Sequence, residues 1–484
     1  MLRGESAKKG MFARSELRLC AMAVGSGPRR LFRTLAVALC FGTLGSAAAL
    51  AAPAQDGAGK RELSLKECVE LARANFPKIQ EARARLERAE SERREARLVP
   101  FGEVNVTGGA GILPSWRGTS LYSPNSDASL TGNMALAYQV GVEGVVPLWT
   151  FGKLRSLWSA TDAAVDAGKG EVEKIKNEIE LDVHRAYYGV LFARDAKLLI
   201  HEVRGELEKG IERLETKISE GEGDDLDLLK LKMVQAELEA RGSEAERQEK
   251  IALAGLGFLT GLEKRVELPD IPLARSSHEL GPLAMYLEAA RLHRPELNMV
   301  RAGLRARQAL VELERAKYLP DVGLAFAAKM SRAPEVTDQR NPFSYDPLNA
   351  PFVGLGLVMR WKLDFLPQSA RVAKARAELE EMRATERFAI GGIAVEVEEA
   401  YQGAADAKAR VDAWHRSARY AKQWLIRVQQ GAELGLTEDD EFVEPAKEYA
   451  LKRFSEMQAI FEYNVALAKL AQTTGWPSLL QDPA

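Results

Sequence analysis

The residue types that most often carry chemistry are few in this chain and badly spaced for it. The five histidines are His184, His201, His278, His293 and His415, and no two share a close ligand spacing such as i, i+4 on one helix. A histidine-based metal site is therefore not expected. No G-x-x-x-x-G-K phosphate loop and no nucleophile elbow occurs. Of the cysteines Cys20, Cys40 and Cys68, the first two would leave with an N-terminal export signal and Cys68 would remain alone, so no intramolecular disulfide is expected. The notable groups that remain are carboxylates, gathered in two Gly-rich acidic turns. One reads Gly221-Glu222-Gly223-Asp224-Asp225 and the other runs from Gly431 to Asp440. Nothing here asks for an enzyme, a cofactor or a bound metal.

Those turns belong to a chain that repeats itself. Val183, Ala186, Tyr187, Gly189 and Ala193 recur 214 positions later as Val397, Ala400, Tyr401, Gly403 and Ala407. Gly221 and Asp225 recur as Gly435 and Asp439, and Thr260-Gly261 as Thr474-Gly475. The period is too long for a solenoid unit, so the chain is a duplicated half-molecule. Its 484 residues, 46% hydrophobic and 28% charged, fit an ordered protein. A net charge of -2 gives no reason to expect nucleic acid or another polyanion.

Residues 1–51 are expected to be an export signal. Arg29, Arg30 and Arg33 precede an apolar stretch from Leu35 to Leu44, and Ala49-Leu50-Ala51 follows as an A-x-A cleavage pattern. The leading region is long, and Met11 or Met22 would also serve as a start. Leu39 before Cys40 is too bulky for a lipoprotein cleavage site, which disfavours lipidation. Past residue 60 no stretch is apolar and long enough for a spanning helix.

Each half reads helix, strand, loop, strand, long helix, turn, helix. Ser64 and Glu67 form a capping box for the first helix, and Pro77 kinks it. Val104, Val106, Gly108, Ala110 and Ile112 then alternate, as do Met134, Leu136, Tyr138, Val140, Val142 and Val146. The second half repeats this with Val322, Leu324, Phe326, Ala328 and Met330, and with Val353, Leu355, Leu357, Met359 and Trp361. The opposite faces carry Gly, Ala, Gln and Glu, and the intervening loops are long and polar. Apolar-out, small-or-polar-in strands with long loops suit an outer-membrane barrel, with a soluble β-sandwich as the alternative. Trp116, Tyr138, Trp149 and Trp361 would sit near the membrane interfaces.

From Gly152 to Ser219, and again from Gln368 to Gln430, the pattern is helical. Such a rod is on the order of 100 Å long and must be paired along its length. Four strands cannot close a barrel, and an open edge cannot sit in lipid. Two copies would give eight strands with a filled lumen; three would give twelve strands, an open pore, and a second barrel of twelve helices. The expected organisation is a first repeat (52–262; strands 102–112 and 134–147; helical hairpin 152–261), a linker or belt (263–282), a second repeat (283–475; strands 321–330 and 352–363; hairpin 368–474) and a tail (476–484).

The chain resembles the TolC family of outer-membrane efflux channels from about Leu63 to Gly475. The carrying segments are Leu65-x-x-Cys68-Val69-x-Leu71-Ala72-x-x-Asn75-x-Pro77, its counterpart His293-Arg294-Pro295-Glu296-Leu297, and Leu319-Pro320 before a strand. Pro147-Leu148-Trp149-Thr150-Phe151-Gly152-Lys153, where strand passes into helix, and the pairs Ala186-Tyr187 and Ala400-Tyr401 complete them. The turn Leu434-Gly435-Leu436-Thr437 is similar to the family's adaptor-facing tip. The resemblance implies a mainly α protein with transmembrane β: a TolC-like homotrimeric channel-tunnel in outer-membrane lipid. It would dock through Gly435, Leu436 and Thr437, with Gly221 and Asp225 in the first half, on a periplasmic adaptor (membrane fusion) protein serving an inner-membrane transporter. It would be an exit duct for efflux or type I secretion, not an enzyme. In the family, acids six and nine positions after the tip glycine narrow the periplasmic entrance. From Gly435 these are Glu441 and Glu444, with Asp440 or Glu438 able to share the role. The first half has Asp227 and Lys230 there. Glutamate stands where the best-known member has aspartate, and the same acids also suit an ordinary solvated helix start. The second strand-to-helix junction departs from the pattern as Asp364-Phe365-Leu366-Pro367, and Gly391-Gly392 interrupts the second rod. A periplasmic adaptor and a coiled-coil scaffold are the competing readings; neither accounts for two hairpins with four strands at the far ends of the rods.

Overall fold

The computed structural model describes residues 61–117, 129–221, 225–262, 266–336, 346, 348–433 and 443–476. The expected export signal, the tip residues Gly435, Leu436 and Thr437, and the acids Glu438, Asp440 and Glu441 lie outside the described residues. After the two-residue strand β1 (Arg61–Glu62) comes α1 (Leu65–Asn75). Its start is a capping box: the Ser64 hydroxyl accepts from the Glu67 amide at 3.3 Å, and the Glu67 carboxylate accepts from the Ser64 amide at 2.9 Å. Pro77 forces Phe76 into an extended conformation (φ −65, ψ 127), and α2 (Pro77–Leu98) restarts on the proline at its first position. The second half repeats the device. Arg294 (φ −69, ψ 120) separates α5 (Leu283–His293) from α6 (Pro295–Ala316), and the paired helices have the same lengths, 11 and 22 residues.

Four strands follow in two hairpins: β2 (Glu103–Arg117) with β3 (Ser129–Trp149), and β5 (Asp321–Arg332) with β6 (Pro351–Arg360). They form one antiparallel sheet in the order β2-β3-β5-β6, so β2 and β6 are its edges. The short β4 (Val266–Glu267) pairs instead with β1, in parallel. β2 runs five residues past the expected 112, and β3 begins five before the expected 134. The pairings Trp116↔Leu130 and Arg117↔Ser129 carry the hairpin on past a register shift at Pro114, which composition alone had marked as loop. β6 ends at Arg360, not 363. Trp361 leaves the strand and donates its indole N–H to the Tyr318 carbonyl at 3.0 Å.

Two rods carry the chain away from the sheet. α3 (Lys153–Glu220) and α7 (Phe365–Glu433) span 68 and 69 residues, and α4 (Asp225–Thr260) and α8 (Val443–Thr474) return along them. α7 starts three residues before the expected 368, because Pro367 falls in its first turn, where the missing N–H is not needed. Near the sheet the helices contact in the order α2-α3-α6-α7, and farther away in the order α4-α3-α8-α7. Both tiers leave α7 at one edge and α2 or α4 at the other.

The core follows from the helical spacing. On α7, Ala400, Ala404, Ala407 and Val411 bury one stripe against Ala459, Tyr463, Leu467 and Ala471 of α8. In the first half, Val183, Tyr187, Val190 and Leu191 of α3 pack with Cys68 and Ala72 of α1 and with Leu256 and Leu259 of α4. Gly168 and Gly170, unfavourable for a helix by propensity, stand where α3 is crossed. A Cβ on Gly168 would lie 3.2 Å from Leu86 of α2, and on Gly170 2.5 Å from Met299 of α6. Gly391 and Gly392 have no such neighbour, and α7 runs through them unbroken.

Each return helix ends in a Schellman cap. Gly261 (φ 76) and Gly475 (φ 66) take the left-handed conformation. The amides of Leu262 and Trp476 donate back to Gly257 and Ala471 at 3.0 and 3.1 Å. Each glycine sits on the pre-proline kink of its own half: Gly261 against Asn75, and Gly475 against His293 and Arg294. The recurrence of Thr-Gly 214 residues apart is therefore one docking contact made twice.

Candidate channel wall and tip

The register assigns every strand residue to one of two faces. Val104↔Gly144, Gly144↔Phe326 and Phe326↔Leu355 are in-line pairs and therefore share a face. On that face lie Val106, Ile112, Leu136, Val140, Val353, Leu357 and Met359, all exposed, with Val353 83% and Leu357 73% accessible. Gly144 leaves room for the Phe326 ring, which a Cβ there would meet at 2.6 Å. An exposed apolar surface of this extent is a lipid-facing surface. The opposite face carries Glu103, Asn105, Thr107, Gln139, Gly141, Glu143, Ala325, Ala327, Lys329, Gly354, Gly356 and Arg360. Several of these line one hollow of about 1080 Å³, together with Lys153 and Asp321. The alternation expected from the sequence thus holds across all four strands.

Where sheet meets helix, Phe151 (φ 50) and Gly152 (φ 91) are both left-handed, which turns β3 sharply into α3. The turn aims Lys153 at the start of β5: its Nζ donates to Asp321 at 2.8 Å and to the Leu319 carbonyl at 2.9 Å. This junction pair was missed by sequence reasoning, although Lys153 and Leu319 both stand in segments singled out for their pattern.

The inter-repeat linker ties the two halves together midway along the rods. Arg194 of α3 donates to the carbonyls of Leu268 and Pro269, and the Leu273 amide donates to Asp195. Further on, Arg275 bridges to Asp412 of α7 at 2.7 Å, and Asn464 of α8 bonds both Ala274 and Ser276. Burial raises the Asp195 carboxyl above its usual range, although the Leu273 amide opposes this. Beside it, Glu249 of α4 accepts from Arg194 at 3.0 Å and Lys197 at 2.7 Å. Burial pushes that carboxyl up, but these two hydrogen bonds outweigh it and hold the group below the ordinary glutamate value.

Buried titratable groups elsewhere are structural. Cys68 is fully buried, and desolvation pushes its thiol to about 12. His184 is lowered by burial and donates from Nδ1 to the Glu180 carbonyl at 2.8 Å. At the far end of the rods, Gly221 caps α3 in the left-handed conformation (φ 86) with open space where a Cβ would stand. Asp225 opens α4, and Asp227 pairs with Lys230 at 2.7 Å. Glu444 lies exposed in the first turn of α8. Of the expected tip and entrance residues, only Gly221, Asp225 and Glu444 are described; they mark the ends of the rods, remote from the sheet. No helix among the described residues is long and apolar enough to cross a membrane.

The fold matches solved outer-membrane channels over most of its length. The outer-membrane channel OprN superposes with a TM-score of 0.70 at 17% identity, covering 86% of this chain and 90% of that one. CusC gives 0.71 at 15% identity, covering 87% and 95%. The open state of the MtrE outer membrane channel of Neisseria gonorrhoeae gives 0.71 at 15% identity, covering 85% and 88%. No curated protein resembles the chain closely enough in sequence to count as a relative. The family model described as outer membrane efflux protein matches residues 68–262 and 286–476, one stretch for each half. With a lipid-facing sheet at one end and paired rods at the other, the chain belongs to the outer membrane efflux protein family and is an outer-membrane exit duct of TolC-like fold.

Proposed function

We propose that three copies of this chain close into a twelve-stranded barrel continued by a twelve-helix barrel. The assembly is a passive duct, fed by an inner-membrane transporter through a periplasmic adaptor. The observation that supports this best is the open four-stranded sheet. Its apolar face is exposed, and its edge strands β2 and β6 have no strand partner on their outer sides among the described residues. Unpaired backbone groups cannot remain in lipid, so the edges must meet those of other copies. Two copies would close eight strands around a lumen filled by side chains; three leave an open pore. The small residues Gly141, Ala325, Ala327, Gly354 and Gly356 on the inner face suit the open case.

At the periplasmic end, Glu441 and Glu444, with Asp440 beside them, form the constriction. Gly435, Leu436 and Thr437, with Gly221 and Asp225, face the adaptor. Three copies of two glutamates crowd up to six carboxylates, which attract cations and make the entrance cation-selective. The mature chain in detergent should have the mass of a trimer and conduct in planar bilayers. Replacing Glu441 and Glu444 together by alanine should weaken cation selectivity and block by divalent cations, whereas Glu380→Ala on α7 should change neither. A monomeric, non-conducting particle would sink the assembly; an unaltered block would move the constriction elsewhere.

A further inference from the structure

The two edge strands carry one opposite charge each at the same end and on the same face. Glu103 opens β2, and Arg360 closes β6. The in-line series Glu103↔Val145, Val145↔Ala325 and Ala325↔Gly356 places Glu103 on the inner face, and Arg360, four residues beyond Gly356, shares that face. Both side chains are exposed, and both line the hollow on the inner side of the sheet. Two of the neighbouring charges are already satisfied within the chain: Asp321, the register neighbour of Arg360, is held by Lys153 at 2.8 Å, and Lys362 by Asp364 at 3.0 Å. Glu143, diagonal to Glu103 on β3, is a like charge and cannot pair with it. Neither Glu103 nor Arg360 has a hydrogen-bonding or ionic side-chain partner among the described residues.

The stagger of the sheet sets where the edges meet. From β2 to β6 the lower end drops by four residues over three inter-strand gaps. At about 3.3 Å per residue and about 4.8 Å per gap, this is a tilt of roughly 40°, within the range for transmembrane barrels. One further gap at the same tilt places the next copy's Glu103 about one residue below the level of Arg360. A same-face pair displaced by up to two residues is the diagonal neighbour of an antiparallel ladder, within reach of an arginine. We infer that Glu103 of each copy forms an ion pair with Arg360 of the adjacent copy, closing the barrel at its periplasmic rim and fixing the register of the subunit seam. This rests on the trimeric reading above.

The test uses the full-length protein expressed in its membrane. A chain carrying Glu103→Cys and Arg360→Cys, treated with a short bifunctional thiol reagent, should give covalent trimers on denaturing gels. Cys68 is fully buried and stays silent. Glu103→Cys with Gly356→Cys, about five residues out of step, should give few or none. Glu103→Arg and Arg360→Glu should each cut the fraction of trimer surviving mild denaturation by about five-fold, and the two together should restore it, as coupled charges do. Non-covalent trimers that fail to crosslink through residues 103 and 360, or single reversals without effect, would overturn the seam pair while leaving the trimer intact. Absence of any oligomer would instead overturn the assembly.

Discussion

Replacing Gly475 by alanine tests the contact that the duplication makes twice. At φ 66 an L-residue is strained, at a cost on the order of 1–2 kcal/mol. The new methyl would also stand 2.7 Å from the His293 carbonyl oxygen and 2.9 Å from its carbon. Both are backbone atoms held by the kink before Pro295, so α8 must lift away from the junction of α5 and α6, at a further cost of about 1–3 kcal/mol. Gly475→Ala should therefore lose about 2–5 kcal/mol in all. Gly221→Ala isolates the strain term, because its φ of 86 is equally left-handed while its Cβ would meet nothing within 4 Å; it should lose only about 1–2 kcal/mol. Gly261→Ala should fall between them, its nearest neighbour being the Asn75 side chain at 3.2 Å. Urea unfolding of the purified protein, followed by helical circular dichroism, would rank the three. If Gly475→Ala and Gly221→Ala lie within about 0.5 kcal/mol of each other, the docking of the return helix on the kink is not what holds Gly475.

On the sheet, Leu355→Arg places a charge in lipid and should cost about 2–4 kcal/mol, seen as loss of protein from the outer-membrane fraction; Ala327→Arg on the inner face should leave that yield nearly unchanged. Gly170→Ala should separate α3 from α6 at Met299 and lower stability by about 1–3 kcal/mol, read from the same urea curves. Because the folded-state pKa of Glu249 lies below its unfolded value, its contribution is present above the unfolded pKa and fades as pH falls through the folded one. Glu249→Gln should therefore reduce stability at neutral pH and flatten the acid limb of a stability–pH profile; an unchanged limb would mean that Arg194 and Lys197 do not depend on it.

Most of the fold was legible because its signals are periodic. Alternation in the strands survives as one apolar face, since the in-line pairs Val104↔Gly144 and Phe326↔Leu355 preserve parity across the sheet. The pre-proline kinks at Phe76 and Arg294 follow from Pro77 and Pro295 alone. Less legible was anything set by a close approach between distant segments. Gly168 and Gly170 read as weak points in a helix, and only the crossings by Leu86 and Met299 explain them. The strand ends near Pro114 and Trp361 were misplaced because pairing across a register shift, and an indole hydrogen bond to Tyr318, decide them. The Arg194–Glu249–Lys197 cluster and the Asn464 bonds to the linker leave no local pattern, since their partners lie 52 or more positions apart.

The duplication also bears on why a constriction would be built from one half only. Positions six and nine after the first tip glycine are Asp227 and Lys230, and these neutralise each other at 2.7 Å. The equivalent positions after Gly435 are Glu441 and Glu444, two acids three apart that cannot. Acids brought close together repel, and the proposed threefold arrangement would multiply the repulsion unless cations or proton uptake relieve it. A half-molecule copied unchanged would give six equivalent hairpins and twice the charge at the entrance. In the trimer proposed above, these two positions would hold an ion pair in three hairpins and two acids in the other three. In the entrance proposed above, only the second set would respond to an arriving cation. Retention of the shared framework, Gly261 with Gly475 and Tyr187 with Tyr401, alongside this loss of charge equivalence, is what separates a structural repeat from a functional one in this chain.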